Sequence, residues 1–317
     1  MNACTSLLTV ASAPLSADEF PKFVVDIKVV NVLATVRNRA QAFVTDLVKD
    51  DFILTEDGRE QIIRYFSQET DLPLTLGLVV DTSASQFQII KHERNAGNRF
   101  FEQVLRQDKD EAFVVRFDRD ADLIREPTCS LSRLDAALDQ LDATDTPGWR
   151  ARHPLEAPSE RFWGTALFDA VDVASRAVMA KRDGRKALVV LSDGVDNASA
   201  TKPLAAIASA QRADVLVYSV LFADPDAYQG QRGDPRKIGV AILRRLSKET
   251  GGSYFEITKA QSMNKVFDRI EQELRSEYSL GYISDQKDAG PGYRRIHLTT
   301  RRGDLIVQAR DGYYAPG

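Results

Sequence analysis

One stretch limits the choice of fold more than any other. Residues 72–81, LPLTLGLVVD, run apolar almost without interruption until an aspartate closes them. A strand with one solvated face would alternate apolar and polar residues, so a run like this fits a strand buried on both faces. From there to Ser276, strand-like and helix-like segments take turns. QFQIIKHERNAGNRFFEQVLR carries apolar residues at helical spacing, DEAFVVRFD reads as a strand and LSRLDAALDQLDA as a helix. GTALFDAVDVASRAVMAKR, RKALVVLSDG, TKPLAAIASAQRA and DVLVYSVLF continue the alternation, helix first. IGVAILRRLSKETGG closes a helix on a glycine pair, SYFEIT is a short strand and SMNKVFDRIEQELRS a last helix. This order predicts an α/β fold with a doubly wound, mostly parallel sheet over residues 72–276.

The ends have a different texture. Residues 23–36, FVVDIKVVNVLATV, read as one or two strands, and DFILTEDGREQIIRYFSQE as two more joined at Asp57-Gly58, a hairpin signal. After Ser276, EYSLGYIS, YRRIHLTTRR and LIVQARDGYYA alternate apolar and polar residues, with Gly303-Asp304 expected as another hairpin turn. Neither end can bury a face alone. Residues 21–71 and 277–317 are therefore expected to pack together as a small β-sandwich, with Tyr278, Tyr282, Tyr293, Tyr313 and Tyr314 in its core or at its edges. The charged run RQDKDE (106–111) reads as a solvated turn, and residues 143–163 and 224–239 as exposed loops.

Composition removes several function classes. Lys and Arg number 42 and Asp and Glu 46, a net charge of −4, which argues against a protein that neutralises nucleic-acid phosphates. Two cysteines, Cys4 and Cys129, form no disulfide framework. Three scattered histidines, His92, His153 and His297, show no zinc spacing. Cys129 is expected as a small buried residue or an inert one under a loop. No stretch approaches the roughly 18 consecutive apolar residues of a membrane span. Residues 1–20 read as a leader, and a weak signal peptide and a disordered segment both remain open.

The candidate site lies where the first α/β strand ends. Asp81, Ser83 and Ser85 follow it in DTSAS, Asp193 stands at the same end of another strand in LSDGVDN, and Thr165 opens a helix in GTALFDAV. Ligands of an open parallel sheet bind at the carboxyl ends of its strands, where the strand order reverses. Two carboxylates and three hydroxyls suit a hard divalent cation such as Mg²⁺ or Mn²⁺. The hydroxyls add no negative charge, so the ion keeps the Lewis acidity to accept one more carboxylate. Taken singly, each of these residues is also an ordinary helix cap or turn residue. Asp196 and Asn197 are expected as a turn and an N-cap.

Asp81-Thr82-Ser83-Ala84-Ser85 resembles the DxSxS motif of von Willebrand factor type A (vWA) domains, and GTAL and SDG follow in the same order. The resemblance covers about residues 72–276. With the flanks DFILTEDG and YSLGYIS…GYRRIHL…ARDGYYA it extends to the bacterial VWFA-related, acidobacterial-type subgroup. It implies a metal-ion-dependent adhesion site made of Asp81, Ser83, Ser85, Thr165 and Asp193, and a protein partner that offers an Asp or Glu to the metal. It also points to the cell exterior or periplasm. One departure is the turn before Thr165, which is often Gly-Gly-Thr or Thr-Gly-Thr and here is Trp163-Gly164-Thr165.

The expected function is thus a metal-dependent protein-binding module and not an enzyme. No HExxH, GxSxG, P-loop or GxGxxG pattern stands beside the site. Two alternatives stay open: a Mg²⁺-dependent hydrolase or phosphotransferase with Asp81 as nucleophile, and an assembly protein with a vestigial metal site.

Overall fold

The computed structural model describes residues 29–68, 72–83, 86, 90–141, 164–222, 235–258, 261–286 and 290–315. Four strands precede the α/β part: β1 (Val30–Arg37), β2 (Phe52–Glu56), β3 (Arg59–Glu60) and β4 (Ile63–Ser67). The α/β part runs β5 (Leu74–Asp81), α1 (Ile90–Val104), β6 (Glu111–Phe117), β7 (Ala121–Thr128), α2 (Leu131–Leu138) and α3 (Leu167–Val173). It continues with β8 (Arg185–Ser192), α4 (Pro203–Arg212), β9 (Leu216–Leu221), α5 (Pro235–Thr250), β10 (Tyr254–Glu256) and α6 (Met263–Arg275). Then come β11 (Glu277–Tyr282), β12 (Gly292–Thr300), β13 (Ile306–Ala309) and β14 (Gly312–Ala315).

The central sheet has six strands in the order β10-β9-β8-β5-β6-β7. All its neighbours pair in parallel except β6 and β7. β5 is buried at all eight positions, as its apolar run requires. Its alternate residues serve two cores. Leu74, Leu76, Leu78 and Val80 pack with Phe100 and Phe101 of α1 and Phe267 and Ile270 of α6. Val79 packs on the other face with Leu167 and Val171 of α3 and Leu243 of α5. The sheet is doubly wound, and β5 is where the strand order turns back.

β7 is a strand that sequence alternation did not reveal. ADLIREPT mixes polar and apolar residues without alternation because, at the edge of the sheet, it is only half-covered. α5 begins at Pro235, so residues 235–239 are helix and not part of the expected loop; proline suits a helix's first turn because its missing N–H is not needed there. The rest of that loop and the 143–163 loop lie outside the described residues.

The two ends form two four-stranded sheets, β13-β1-β11-β4 and β14-β12-β2-β3, each with strands from both ends of the chain. Val32, Val36, Leu54, Tyr278, Leu280 and Leu298 fill the space between them. Asp57 and Gly58 both take positive φ (48° and 82°) and close the β2–β3 hairpin, as the dipeptide predicts. Gly303-Asp304 is not a hairpin turn. β12 pairs with β2 and β14 while β13 pairs with β1, so this turn carries the chain from one sheet to the other. Tyr278 and Tyr282 are fully buried, and Tyr293 is exposed at the edge.

The chain crosses between the sandwich and the α/β part at residues 72–73 and at Ser276, and buried charge holds both crossings. Arg185 donates from Nη1 to the Leu274 carbonyl and from Nη2 to the Leu72 carbonyl. Asp110, expected in a solvated turn, is buried: it accepts the Leu74 N–H at 2.9 Å and a two-armed contact from Arg106. Those bonds hold its carboxyl below the usual range, against the opposing effect of burial. The expectation failed because periodicity reads RQDKDE as wet, whereas its second aspartate, Asp110, ties off the first residue of a buried strand. Cys129 is exposed, not buried.

A cleft of about 340 Å³ opens beside the second crossing, lined by Asn31, Arg182, Arg185, Asp214, Glu277 and Ser279. Glu277 is buried there; burial pushes its carboxyl up to about 8, against the pull of Arg185. Between about pH 4.5 and pH 8 the folded protein therefore keeps a proton here that the unfolded chain has lost. This contribution to stability is full below 4.5 and disappears as pH rises through 8. Glu277→Gln is expected to match the wild type at pH 4 and to exceed it by on the order of 2 kcal/mol at pH 8.5. Urea denaturation at three pH values checks this, and a difference that does not change with pH would refute it.

Candidate metal centre

The parallel register sets Val80 opposite Leu191, which brings the next residues, Asp81 and Ser192, side by side at the carboxyl ends of β5 and β8. Ser192 donates its hydroxyl to Asp81 Oδ2 at 2.6 Å and accepts the Gly194 N–H at 2.9 Å. Asp81 Oδ1 accepts both the N–H (3.0 Å) and the hydroxyl (2.6 Å) of Ser83. Asp81 is 0% exposed and Asp193 1%. The latter's Oδ1 accepts the Val195 N–H at 2.9 Å, and its Oδ2 accepts Gln86 Nε2 at 3.2 Å. Gly194 turns the chain away at φ 78°, and a Cβ there would lie 2.4 Å from the Gly239 carbonyl oxygen, so α5 packs directly on this turn.

Thr165, nearly buried, joins through the loop after Asp193. Its N–H donates to Asn197 Oδ1 at 2.8 Å, and its carbonyl accepts the N–H groups of Asn197 and Ala198. Asp196 accepts the Phe168 N–H in the first turn of α3, so it caps a helix from a distant segment and not its own. Asp169 in turn accepts the N–H groups of Ala200 and Thr201. The start of α3 and the 196–201 loop are thereby tied together. Of the five expected ligands, Asp81 and Ser83 are hydrogen-bonded to each other, Asp193 lies close enough for its charge to act on Asp81, and Thr165 is bonded to the loop after Asp193. Ser85, like Trp163, lies outside the described residues.

The electrostatics are those of two like charges held in a dry place. The Asp81 carboxyl is raised well above its ordinary range, first by burial and then by the negative charge of Asp193, while its hydrogen bonds to Ser192 and Ser83 pull the other way. Among the described residues no Lys or Arg pairs with Asp81. A doubly charged cation would offset that repulsion, and the donor set of carboxylate, hydroxyl and amide oxygens fits a hard ion. Among the described residues no cluster of three or more His, Cys, Asp or Glu side chains could hold a metal, so the candidate has two carboxylates and neutral oxygens.

Sequence reading missed three partners: Ser192, Gln86 and Asn197. Ser192 could have been found from LSDG, since a strand that places Asp193 at its end places the preceding residue beside β5. Gln86 and Asn197 had no such signal; their partners are 107 and 32 residues away.

No protein-family model matches the sequence, and no curated protein matches it. Solved structures do. The chain is similar to a von Willebrand factor type A protein from Catenulispora acidiphila at 10% identity, over 89% of this chain and 73% of that one (TM-score 0.46). It is similar to the vWF domain of the type V pili tip protein Mfa5 from Porphyromonas gingivalis at 13% identity, over 63% and 94% (TM-score 0.45). It is also similar to proximal thread matrix protein 1 of the mussel byssus, solved with a zinc-occupied MIDAS motif, at 14% identity, over 70% and 50% (TM-score 0.49).

Proposed function

We propose that this chain is a metal-ion-dependent protein-binding module. A divalent cation, Mg²⁺ or Mn²⁺, is held by Asp81, Ser83, Ser85, Thr165 and Asp193 and accepts an Asp or Glu carboxylate from a protein partner. The observation that carries this reading is the buried pair Asp81 and Asp193 at the ends of adjacent parallel strands, where the strand order reverses. When bound, the ion supplies the positive charge that draws in a partner's carboxylate. The chain's own residues orient that position: Ser192 and Ser83 fix both oxygens of Asp81, and Asn197 sets Thr165. The same bonds count against Asp81 as a nucleophile. Both its oxygens are engaged by hydroxyls and none of its surface is exposed.

Calorimetry and melting with Mg²⁺ and Mn²⁺, wild type beside Asp193→Ala, test the site. At a hundredfold excess over Kd the ion is expected to stabilise the wild type by about 2.7 kcal/mol and to do nothing for the variant. Acetate, a small carboxylate probe, should then lower the water-proton relaxation of the Mn²⁺-loaded wild type. A wild type that ignores both ions would remove the reading. Loaded protein indifferent to acetate would remove the acidic partner.

A further inference from the structure

We infer that Gln86 is a positioning residue of this metal site, fixing the Asp193 carboxylate with its amide nitrogen and turning its amide oxygen towards the ion or the ion's water. The inference rests on the metal reading above and adds to the ligand set a residue just past DTSAS.

Gln86 is 0% exposed. Its backbone N–H donates to the Ser83 carbonyl at 2.9 Å, which closes the turn after Ser83 and sets where its side chain begins. The side chain then reaches Asp193 Oδ2, 3.2 Å from Nε2. A carboxylate oxygen can only accept, so the nitrogen must face Asp193, and the orientation of the amide follows from its partner. The other end of the amide, Oε1, is buried with no hydrogen-bond partner among the described residues. A buried amide oxygen left unpaired costs stability, and native folds keep few of them. A methionine or leucine would fill the space at no such cost. The amide is explained if a polar guest comes to it, and the guest that Asp81 and Asp193 call for is a cation.

The charge count agrees. Two carboxylates already balance a divalent ion, so a third would satisfy it and remove its attraction for a partner's acid. A neutral amide supplies a hard oxygen without that loss. By holding Asp193 it also keeps that carboxylate from swinging towards Asp81 or solvent. Groups that orient metal ligands in this way typically change metal affinity 10–100-fold when removed.

The test uses the full chain with Mn²⁺ alone as probe, comparing wild type, Gln86→Met and Gln86→Glu. Gln86→Met is expected to bind Mn²⁺ about 10–100-fold more weakly. Its urea midpoint without the ion should stay close to the wild type's, because loss of an unpaired oxygen offsets loss of the Nε2 bond to Asp193. The EPR spectrum of bound Mn²⁺ should differ between the two. Affinity within twofold of wild type, an unchanged spectrum, or a lower metal-free midpoint with an unchanged ion response would each overturn the inference. Should Gln86→Met not fold, Gln86→Glu carries the test. Its added charge beside Asp193 should lower the metal-free melting point and enlarge the rise on adding Mn²⁺, and a rise no larger than wild type overturns the proposal. A wild type that does not bind Mn²⁺ fails at the earlier step and takes this inference with it.

Discussion

Asp81→Asn is expected to melt at least as high as the wild type when divalent ions are removed, and to gain nothing when Mg²⁺ or Mn²⁺ is added. Asparagine keeps the shape, and its Oδ1 can still accept the N–H and hydroxyl of Ser83. Its Nδ2 faces the Ser192 hydroxyl, whose oxygen can accept in place of donating. What disappears is a carboxylate in a dry place beside the charge of Asp193. Removing a buried charge that lacks an opposite partner lowers the desolvation cost, so the metal-free protein should be neutral to about 2 kcal/mol more stable. With the ion in hundredfold excess the wild type gains about 2.7 kcal/mol and the variant does not, so the order of stability reverses. Melting with EDTA and with Mn²⁺ decides it. A variant that is weaker without ions by more than about 1 kcal/mol would make Asp81 a structural cap worth a typical cap's free energy. A variant that still responds to the ion would take Asp81 out of the site.

The second large effect lies in the sandwich, far from the metal centre. Glu56 is 0% exposed and satisfies four donors. Its Oε2 accepts the Tyr282 hydroxyl at 2.5 Å and the Tyr313 hydroxyl at 3.2 Å, and its Oε1 accepts Ser284 Oγ at 2.5 Å and Arg294 Nη1 at 3.1 Å. These partners come from β11, β12, β14 and the loop after β11, so one side chain of β2 ties the C-terminal strands to the N-terminal ones. Glu56→Ala strands a mostly buried guanidinium and two tyrosine hydroxyls, and is expected to cost about 3–5 kcal/mol. Glu56→Gln keeps one acceptor and should cost less, about 1–3 kcal/mol. Glu56→Leu with Arg294→Met removes the charges together and should recover much of the loss. Urea denaturation followed by near-ultraviolet circular dichroism measures all three. A Glu56→Ala cost under about 1 kcal/mol would mean that water replaces the carboxylate and that the sandwich is wetter than described.

The layered fold was legible because its signals are local. β5 reads as a doubly covered strand because no residue within it could face water, and the Asp57-Gly58 turn because few residue pairs accept two positive φ angles in succession. β7 was not legible, since an edge strand has polar residues on both faces, and neither was the burial of Asp110, whose partner Leu74 is 36 residues away. Gly303-Asp304 misled for a related reason. A turn dipeptide marks where the chain bends, and says nothing of whether the next strand returns to the same sheet.

At the site the division is sharper. The order DTSAS, GTAL, SDG by itself determined which oxygens are available and that Asp81 and Asp193 end strands, because hydropathy runs show where strands stop. Only the tertiary structure decided that β8 lies next to β5, that Ser192 therefore holds Asp81, and that Gln86 reaches Asp193. Those depend on register and strand order, which are settled by how two cores fill on opposite faces of one sheet. Packing of that kind belongs to no single segment, so no segment records it.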